Sequence, residues 1–505
     1  MILNIILAVI IIGFVVVAHE FGHFIVAKAN GIAVIEFSVG FGPNIIHKKI
    51  NGTDYCLKAI PFGGACVMKG DDLTESLDAI GHEKDDEEDT AGLKNSDSEP
   101  EYRSEGYAKQ AHESDLAEVL DKAEVKNKSV EVNAFAASDD EKEVQAKDIV
   151  AKSDAHGVAF SEKGIWSRIA VIAAGPIFNF ILAYIFAVII IGIIGIDPLV
   201  VDVVNEDSPA YVAGLRVGDK ITSINGSSTT FTEDLSYAQT FHDGETWNLT
   251  VLRDDQKLAI SVTPEKREYT KYMIGISIKD RSVVTINKDS PAAKAGLEVG
   301  DLILKIDGND VESGVLLTEY FKNKGAVETD MVVKRGDKEV SLKIIPDKTD
   351  ISDYYYGFDN YGYRTKVGPF ETFKYGLKQV NYWIKAVVKC VGMLFTGKLS
   401  INNLSGPVGI VDSVNTVVQE SKPDGAFYVM LNLFNFIIML SANLGVMNLI
   451  PLPALDGGRL LFLLIELVRG KPVKKEHEGM VHFVGMILLM LLMVYILFKD
   501  IYSLF

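Results

Sequence analysis

The sequence predicts a polytopic α-helical membrane protein: four transmembrane helices, a membrane-associated β-hairpin loop and two small α+β domains outside the membrane. Three observations carry that expectation. Apolar residues make up 48% of the 505-residue chain, but they gather in blocks. Blocks 1–27, 169–196, 426–455 and 479–498 contain one charged side chain between them, Glu20. Each reaches the ~20 residues that cross ~30 Å of hydrocarbon. Between the second and third blocks a 21-residue pattern occurs twice, 82 residues apart.

The first block lacks a basic start and a small-x-small cleavage site, so residues 1–27 are expected as a span and not as a cleaved signal. Lys28, Lys48, Lys49, Lys58 and Lys69 follow it, and Arg469, Lys471, Lys474 and Lys475 separate the last two blocks. The positive-inside rule then puts the N-terminus and residues 197–425 outside, and residues 28–165 inside.

Residues 28–70 hold short extended runs broken at Gly40, Gly42, Pro43, Pro61, Gly63 and Gly64, which reads as a β-loop with an edge strand able to pair with an extended chain. Residues 71–160 hold 26 Asp and Glu against 10 Lys and Arg, with few large apolar residues. Such a segment buries too little to offset its ordering entropy and is expected to be a disordered cytoplasmic insertion. It carries most of the net charge of −18, so acidity says nothing about the substrate, and no basic patch suggests a nucleic-acid partner. The cysteines Cys56, Cys66 and Cys390 make no C-x-x-C pair and no disulfide framework.

The second span is expected over 165–196. The repeated pattern, SPAYVAGLRVGDKITSINGSS from Ser208 and SPAAKAGLEVGDLILKIDGND from Ser290, agrees at 12 of 21 positions. A period that long marks two tandem domains, placed at 197–280 and 281–365. Residues 367–425 include a stretch alternating apolar residues with lysines, suited to the membrane surface. The third span is expected over 426–466, broken by Pro451 and Pro453, and the fourth over 479–498.

The chemistry lies in His19-Glu20-Phe21-Gly22-His23. On a helix, positions i and i+4 share a face, so both imidazoles reach one metal ion while Glu20 is placed to take a proton. Ionisable groups inside an apolar span are functional by default. Two histidines leave a catalytic zinc one protein ligand short. Asp456, alone at the end of 30 uncharged residues, is the best third candidate. Both segments run outside to inside, so Asp456 and the histidines share a depth near the cytoplasmic face. Broken backbone at that depth is tolerated only inside protein or beside a watery cavity.

Both repeat copies resemble bacterial PDZ domains, which bind extended peptide ends. That resemblance assigns Ile274, Gly275 and Ile276, in Tyr272-Met273-Ile274-Gly275-Ile276, to a peptide-end loop of the first domain, with Tyr356-Gly357-Phe358 as a looser counterpart in the second. The whole motif set resembles the RseP branch of bacterial site-2 proteases: H-E-x-x-H, A-A-G-P-x-x-N from Ala173 to Asn179, the tandem domains, Leu404-Ser405-Gly406-Pro407, and N-x-x-P-x-P-x-L-D-G-G from Asn448. The resemblance covers nearly all of the chain except 71–160. It implies one catalytic zinc held by His19, His23 and Asp456, with Glu20 activating water. It also implies substrate-backbone contacts at Asn443 and Asn448 and a substrate-guiding loop around Gly40 and Gly42.

The expected function is hydrolysis of peptide bonds within transmembrane segments at a bacterial inner membrane. The substrates expected from the resemblance are single-span proteins, anti-sigma factor stubs or remnant signal peptides, already cut by an upstream site-1 protease. The alternative is a catalytically silent scaffold presenting two PDZ domains, and the complete ligand set argues against it.

Overall fold

The computed structural model describes residues 2–71, 156–279, 281–311 and 314–504. The disorder expected for 71–160 falls almost wholly outside them. In the membrane part the chain forms α1 (Ile2–Ala29), strands β1 (Val34–Ile50) and β2 (Thr53–Met68), and α2 (Ile165–Ile194). After the repeat region come α3 (Pro369–Phe395), α4 (Pro407–Ser421), α5 (Ala426–Leu449), α6 (Asp456–Arg469) and α7 (Lys475–Leu504). Among the described residues α1, α2, α5 and α7 are long and apolar enough to cross a membrane.

Helix α2 is the hub, packing on α1, α3, α5 and α6. Its contact side carries several small residues: Ala174, Ala183 and Ala187 are at most 3% exposed. On its other side Ile177, Ile181, Ile185, Ile189 and Ile193 form an open i+4 stripe. Lipid tails are as apolar as isoleucine, so burial of the stripe gains little. Close approach of small residues brings helices together instead. Ala8, Ile11 and Val15 of α1 pack with Leu182 of α2, Val414 of α4 and Phe436 of α5 in the bundle core.

The hairpin doubles back on itself. Phe37 is paired with both Cys66 and Tyr55, so segment 34–39 lies between 64–68 and 54–57. The fold-back needs positive φ at Gly40 (88°) and Gly42 (91°), a region L-residues with a Cβ resist. Phe41, Ile45, Ile46, Leu57 and Ile60 are left exposed.

The expected third span, 426–466, is two helices. Pro451 and Pro453 cannot continue a helix. The chain leaves α5 at Leu449 and starts α6 at Asp456.

The repeat region corrects the expected domain division. The two copies are not consecutive, because the second is inserted into the first. Strand 358–359 pairs with 203–204, and Tyr356 and Phe358 pack in the core of the first copy with Leu199, Ile221 and Trp247. Ile274 packs in the core of the second copy with Val283, Ile303 and Phe321. An antiparallel ribbon, 265–273 against 347–355, joins them. Ile274, Gly275 and Ile276 therefore belong to the second copy, and Tyr356-Gly357-Phe358 to the first, the reverse of the expected assignment. The hydrogen bonds are equivalent: Ala292 N–H donates to Ile274 O and Asn287 N–H to Gly275 O, as Ala210 N–H does to Tyr356 O and Asn205 N–H to Gly357 O. The physical reason is topological. The 16 residues before Ser208 begin inside α2, so the first copy takes its loop from beyond the second.

Candidate metal centre

α1 holds its motif against α2. Gly22, the small residue between the histidines, has no room for a Cβ, which would lie 2.4 Å from Ala174 O. A Cβ on Gly175 would lie 2.3 Å from His23 Nε2 and 2.7 Å from His19 Cε1. These two glycines let α1 and α2 cross at the imidazoles. His19 and His23 are 6% and 7% exposed.

Asp456 arrives from the other end of the chain at the first position of α6, where the helix dipole favours a carboxylate. The turn before it folds tightly under the helix. A Cβ on Gly457 would lie 2.1 Å from Ile450 O, and one on Gly458 2.4 Å from Leu452 O. This is why the aspartate is followed by two glycines. Asp456 Oδ2 lies 3.1 Å from His19 Nε2 and 3.2 Å from His23 Nε2, and the two Nε2 atoms are 3.2 Å apart.

The proton positions show what this arrangement lacks. His23 Nδ1 lies 2.8 Å from Val171 O, a carbonyl that can only accept, so Nδ1 carries the proton and Nε2 a lone pair. At His19 the carboxamide of Asn179 lies 3.1 Å from Nδ1, while the Asn179 Oδ1 is buried without a partner. With that amide turned through half a rotation, its oxygen accepts the Nδ1 proton and the His19 Nε2 lone pair is left free. Two lone pairs and a carboxylate oxygen then face one another with no proton between them. Edges of a tetrahedral zinc site with bonds of ~2.0–2.1 Å are about 3.3 Å long, close to the separations seen.

The chain matches the model of peptidase family M50 over residues 7–492. It belongs to that family.

Among M50 relatives, the chain is 31% identical to the regulator of sigma-W protease RasP of Bacillus subtilis, over 100% of both chains. It is 30% identical to the zinc metalloprotease RasP of Bacillus licheniformis over 98% of each chain. To the regulator of sigma-E protease RseP of Escherichia coli it is 28% identical over 97% of each. Among solved structures, the HtrA3 PDZ domain bound to a phage-derived ligand is similar at 18% identity and TM-score 0.16, covering 17% of this chain and 93% of that one. The chain is thus an M50 zinc metalloprotease of the intramembrane, site-2 type.

In this M50 site the structure sorts the other expected residues. Asn448 reaches the centre, its Nδ2 3.4 Å from His19 Nε2. Asn443 is exposed on α5. At Glu20, a Cβ on Gly64 would lie 3.1 Å from the Glu20 Cγ. The strand at Glu20 is therefore 64–68, while Gly40 and Gly42 shape the fold-back beside it. Sequence reasoning gave no role to Asn179, which is 0% exposed against His19, nor to Gly175 or the Val171 carbonyl. All three lie in or next to the A-A-G-P-x-x-N stretch, whose place in the motif set was the only signal available.

Proposed function

We propose that His19, His23 and Asp456 hold one zinc ion, and that the site hydrolyses peptide bonds in the transmembrane segments of single-span proteins. The observation that carries this reading is the convergence of His19 Nε2, His23 Nε2 and Asp456 Oδ2, 3.1 to 3.2 Å from one another. A zinc ion held by these three residues would supply acidification of a water molecule to a pKa of about 7 and polarisation of a carbonyl. Glu20, one residue along α1 from His19, accepts the water proton and returns it to the leaving amine. Asn448, beside His19, is placed to hydrogen-bond the substrate backbone.

A helical substrate offers no free backbone groups and must be opened before attack. Segment 64–68 pairs with 34–39 on one side, and its position at Glu20 suits it to receive an extended chain as an added strand. Asn443 and the Gly40–Gly42 fold-back would act further from the metal, along the path of the incoming chain. In the second copy, Ile274-Gly275-Ile276 leads into strand Ile276–Lys279, which ends the sheet order and would receive a peptide end in the same manner.

Lys28, Lys69, Arg168 and Arg469 cluster by sequence at one set of helix ends. The positive-inside rule makes that end cytoplasmic, with the insertion, and puts the N-terminus and both repeat copies outside an inner membrane. The names of the relatives support membrane stubs of anti-sigma factors as substrates, after an upstream protease has removed their outer domains.

The test uses purified full-length protein with a single-span reporter in detergent. Glu20→Gln should retain zinc and lose cleavage by ~10²–10⁴-fold, whereas Asp456→Asn should lose both. Chelator should abolish parent activity and added zinc restore it. Cleavage by Asp456→Asn at the parent rate would sink the assignment.

A further inference from the structure

The fourth span carries a histidine that this chemistry does not use. His482 lies on α7, is 3% exposed, and accepts the Ala454 N–H at its Nδ1, 2.9 Å away. Ala454 is two positions before Asp456 and has φ of 71°, a conformation that a residue with a Cβ keeps only when its surroundings impose it. Pro451 and Pro453 have no N–H, and the Leu452 and Leu455 N–H groups bond within the turn, to Ile450 O and Leu452 O. The Ala454 N–H is the donor that ties this turn to α7.

The packing agrees. A Cβ on Gly485, three residues along α7, would lie 2.3 Å from Pro453 Cβ, so the helix backbone lies directly against the turn. Because Nδ1 accepts, Nε2 carries the ring proton. That atom is buried without a hydrogen-bond partner, and His482 lines a cavity of about 240 Å³ with Arg168, Arg459, Glu466 and Glu478. A polar cavity of that size holds water, which would keep the Nε2–H satisfied and Nδ1 fixed as the acceptor.

We propose that His482 is a positioning residue for the metal centre: its Nδ1 pins the Pro453–Ala454 turn and so sets the Asp456 carboxylate against His19 and His23. The inference rests on Asp456 being a metal ligand. It makes α7, which contributes no ligand, part of the machinery that preorganises the site.

The test is zinc affinity of the full-length protein, measured by chelator competition, for His482→Asn, His482→Gln and His482→Leu. Asparagine places its amide oxygen about where Nδ1 stands, and glutamine places it one bond further out. His482→Asn should stay within about threefold of the parent. His482→Leu and His482→Gln should bind zinc ~10–100-fold more weakly, as other residues supporting a ligand do, with unchanged melting of the metal-free proteins. Parent-like affinity in His482→Leu would overturn the proposal, and so would equal weakening in His482→Asn and His482→Leu, which would mark a packing role alone. Asp456→Asn separates the two readings: if it keeps zinc, the ligand assignment has failed. If it loses zinc while His482→Leu does not, only the positioning role has failed.

Discussion

The candidate metal centre and the repeated domains meet opposite demands, and their glycines show it. At the centre, segments 433 residues apart in sequence, His23 and Asp456, must bring three donor atoms to one point. The crossing there has no slack, because Gly22, Gly175, Gly457 and Gly458 each lack space for one methyl group. In the repeats, Gly214 and Gly296 have positive φ yet open space around the missing Cβ. They end short helices capped by Ser208 and Ser290, a local need met twice by local sequence. One region depends on long-range fit and the other on local conformation, so the same substitution should act differently in each.

Gly175→Ala gives the largest expected difference. Its methyl group would stand between both imidazoles, so zinc retention and reporter cleavage should fall to background although alanine favours helix. Gly214→Ala should cost about 1–2 kcal/mol of local stability from the left-handed backbone alone, leaving zinc content untouched. Metal analysis of the two variants side by side decides it. Parent-like zinc in Gly175→Ala would mean the α1–α2 crossing can relax, and the contrast would collapse.

Asn179 offers a smaller effect on the same side of the comparison. An amide oxygen that holds the His19 Nδ1 proton fixes the tautomer and the ring. Asn179→Ala should weaken zinc binding ~10–100-fold. Asn179→Asp keeps an acceptor there and should bind zinc more tightly than the alanine variant. Chelator competition gives both numbers.

This contrast also explains what the sequence could announce. Glu20, His19, His23 and Asp456 are legible because polar groups stand out in uncharged blocks, where each is expensive. Asn179 is equally polar and equally buried, but a neutral amide in an apolar helix carries no spacing signal, and its use depends on which helix faces it. The repeat was legible down to its register, since Arg253 on Asp219 recurs as Arg335 on Asp301 with the same 34-residue separation. Its topology was not. Ile274 and Tyr356 are also 82 residues apart, so the offset is identical whether each loop serves its own copy or the other one. The pairing of 358–359 with 203–204 and the packing of Tyr356 and Ile274 in their respective cores distinguish these cases.

The subtlest difference lies between the copies themselves, at equivalent positions 225 and 307. Asn225 accepts the Asn248 N–H, and Asp307 accepts the Asp330 N–H, both at 2.9 Å. Asp307 also receives Lys324 and Tyr320, where the first copy has His242 and Ala238. Those two donors hold the Asp307 carboxyl down to about 2, against ~3.9 for a free aspartate. A carboxylate depressed in the folded state contributes stability above its unfolded value, and that contribution is lost as pH falls toward about 2. Asp219 and Asp301 are likewise held low, their arginines and backbone donors outweighing the upward push of burial. They occur in both copies, however, and cancel from the comparison. Between about pH 4 and 2 the second copy should therefore lose protection that the first keeps, by on the order of 1 kcal/mol after solvent screening. Hydrogen exchange on the full-length protein reads this as faster exchange in strands 302–306 and 329–335 than in 220–224 and 247–253. Asp307→Asn should abolish the pH dependence of that difference, because an amide keeps the backbone contact but has no proton to gain. If the difference persists in Asp307→Asn, the acid sensitivity belongs to the ribbon or the inter-copy packing and not to this carboxylate.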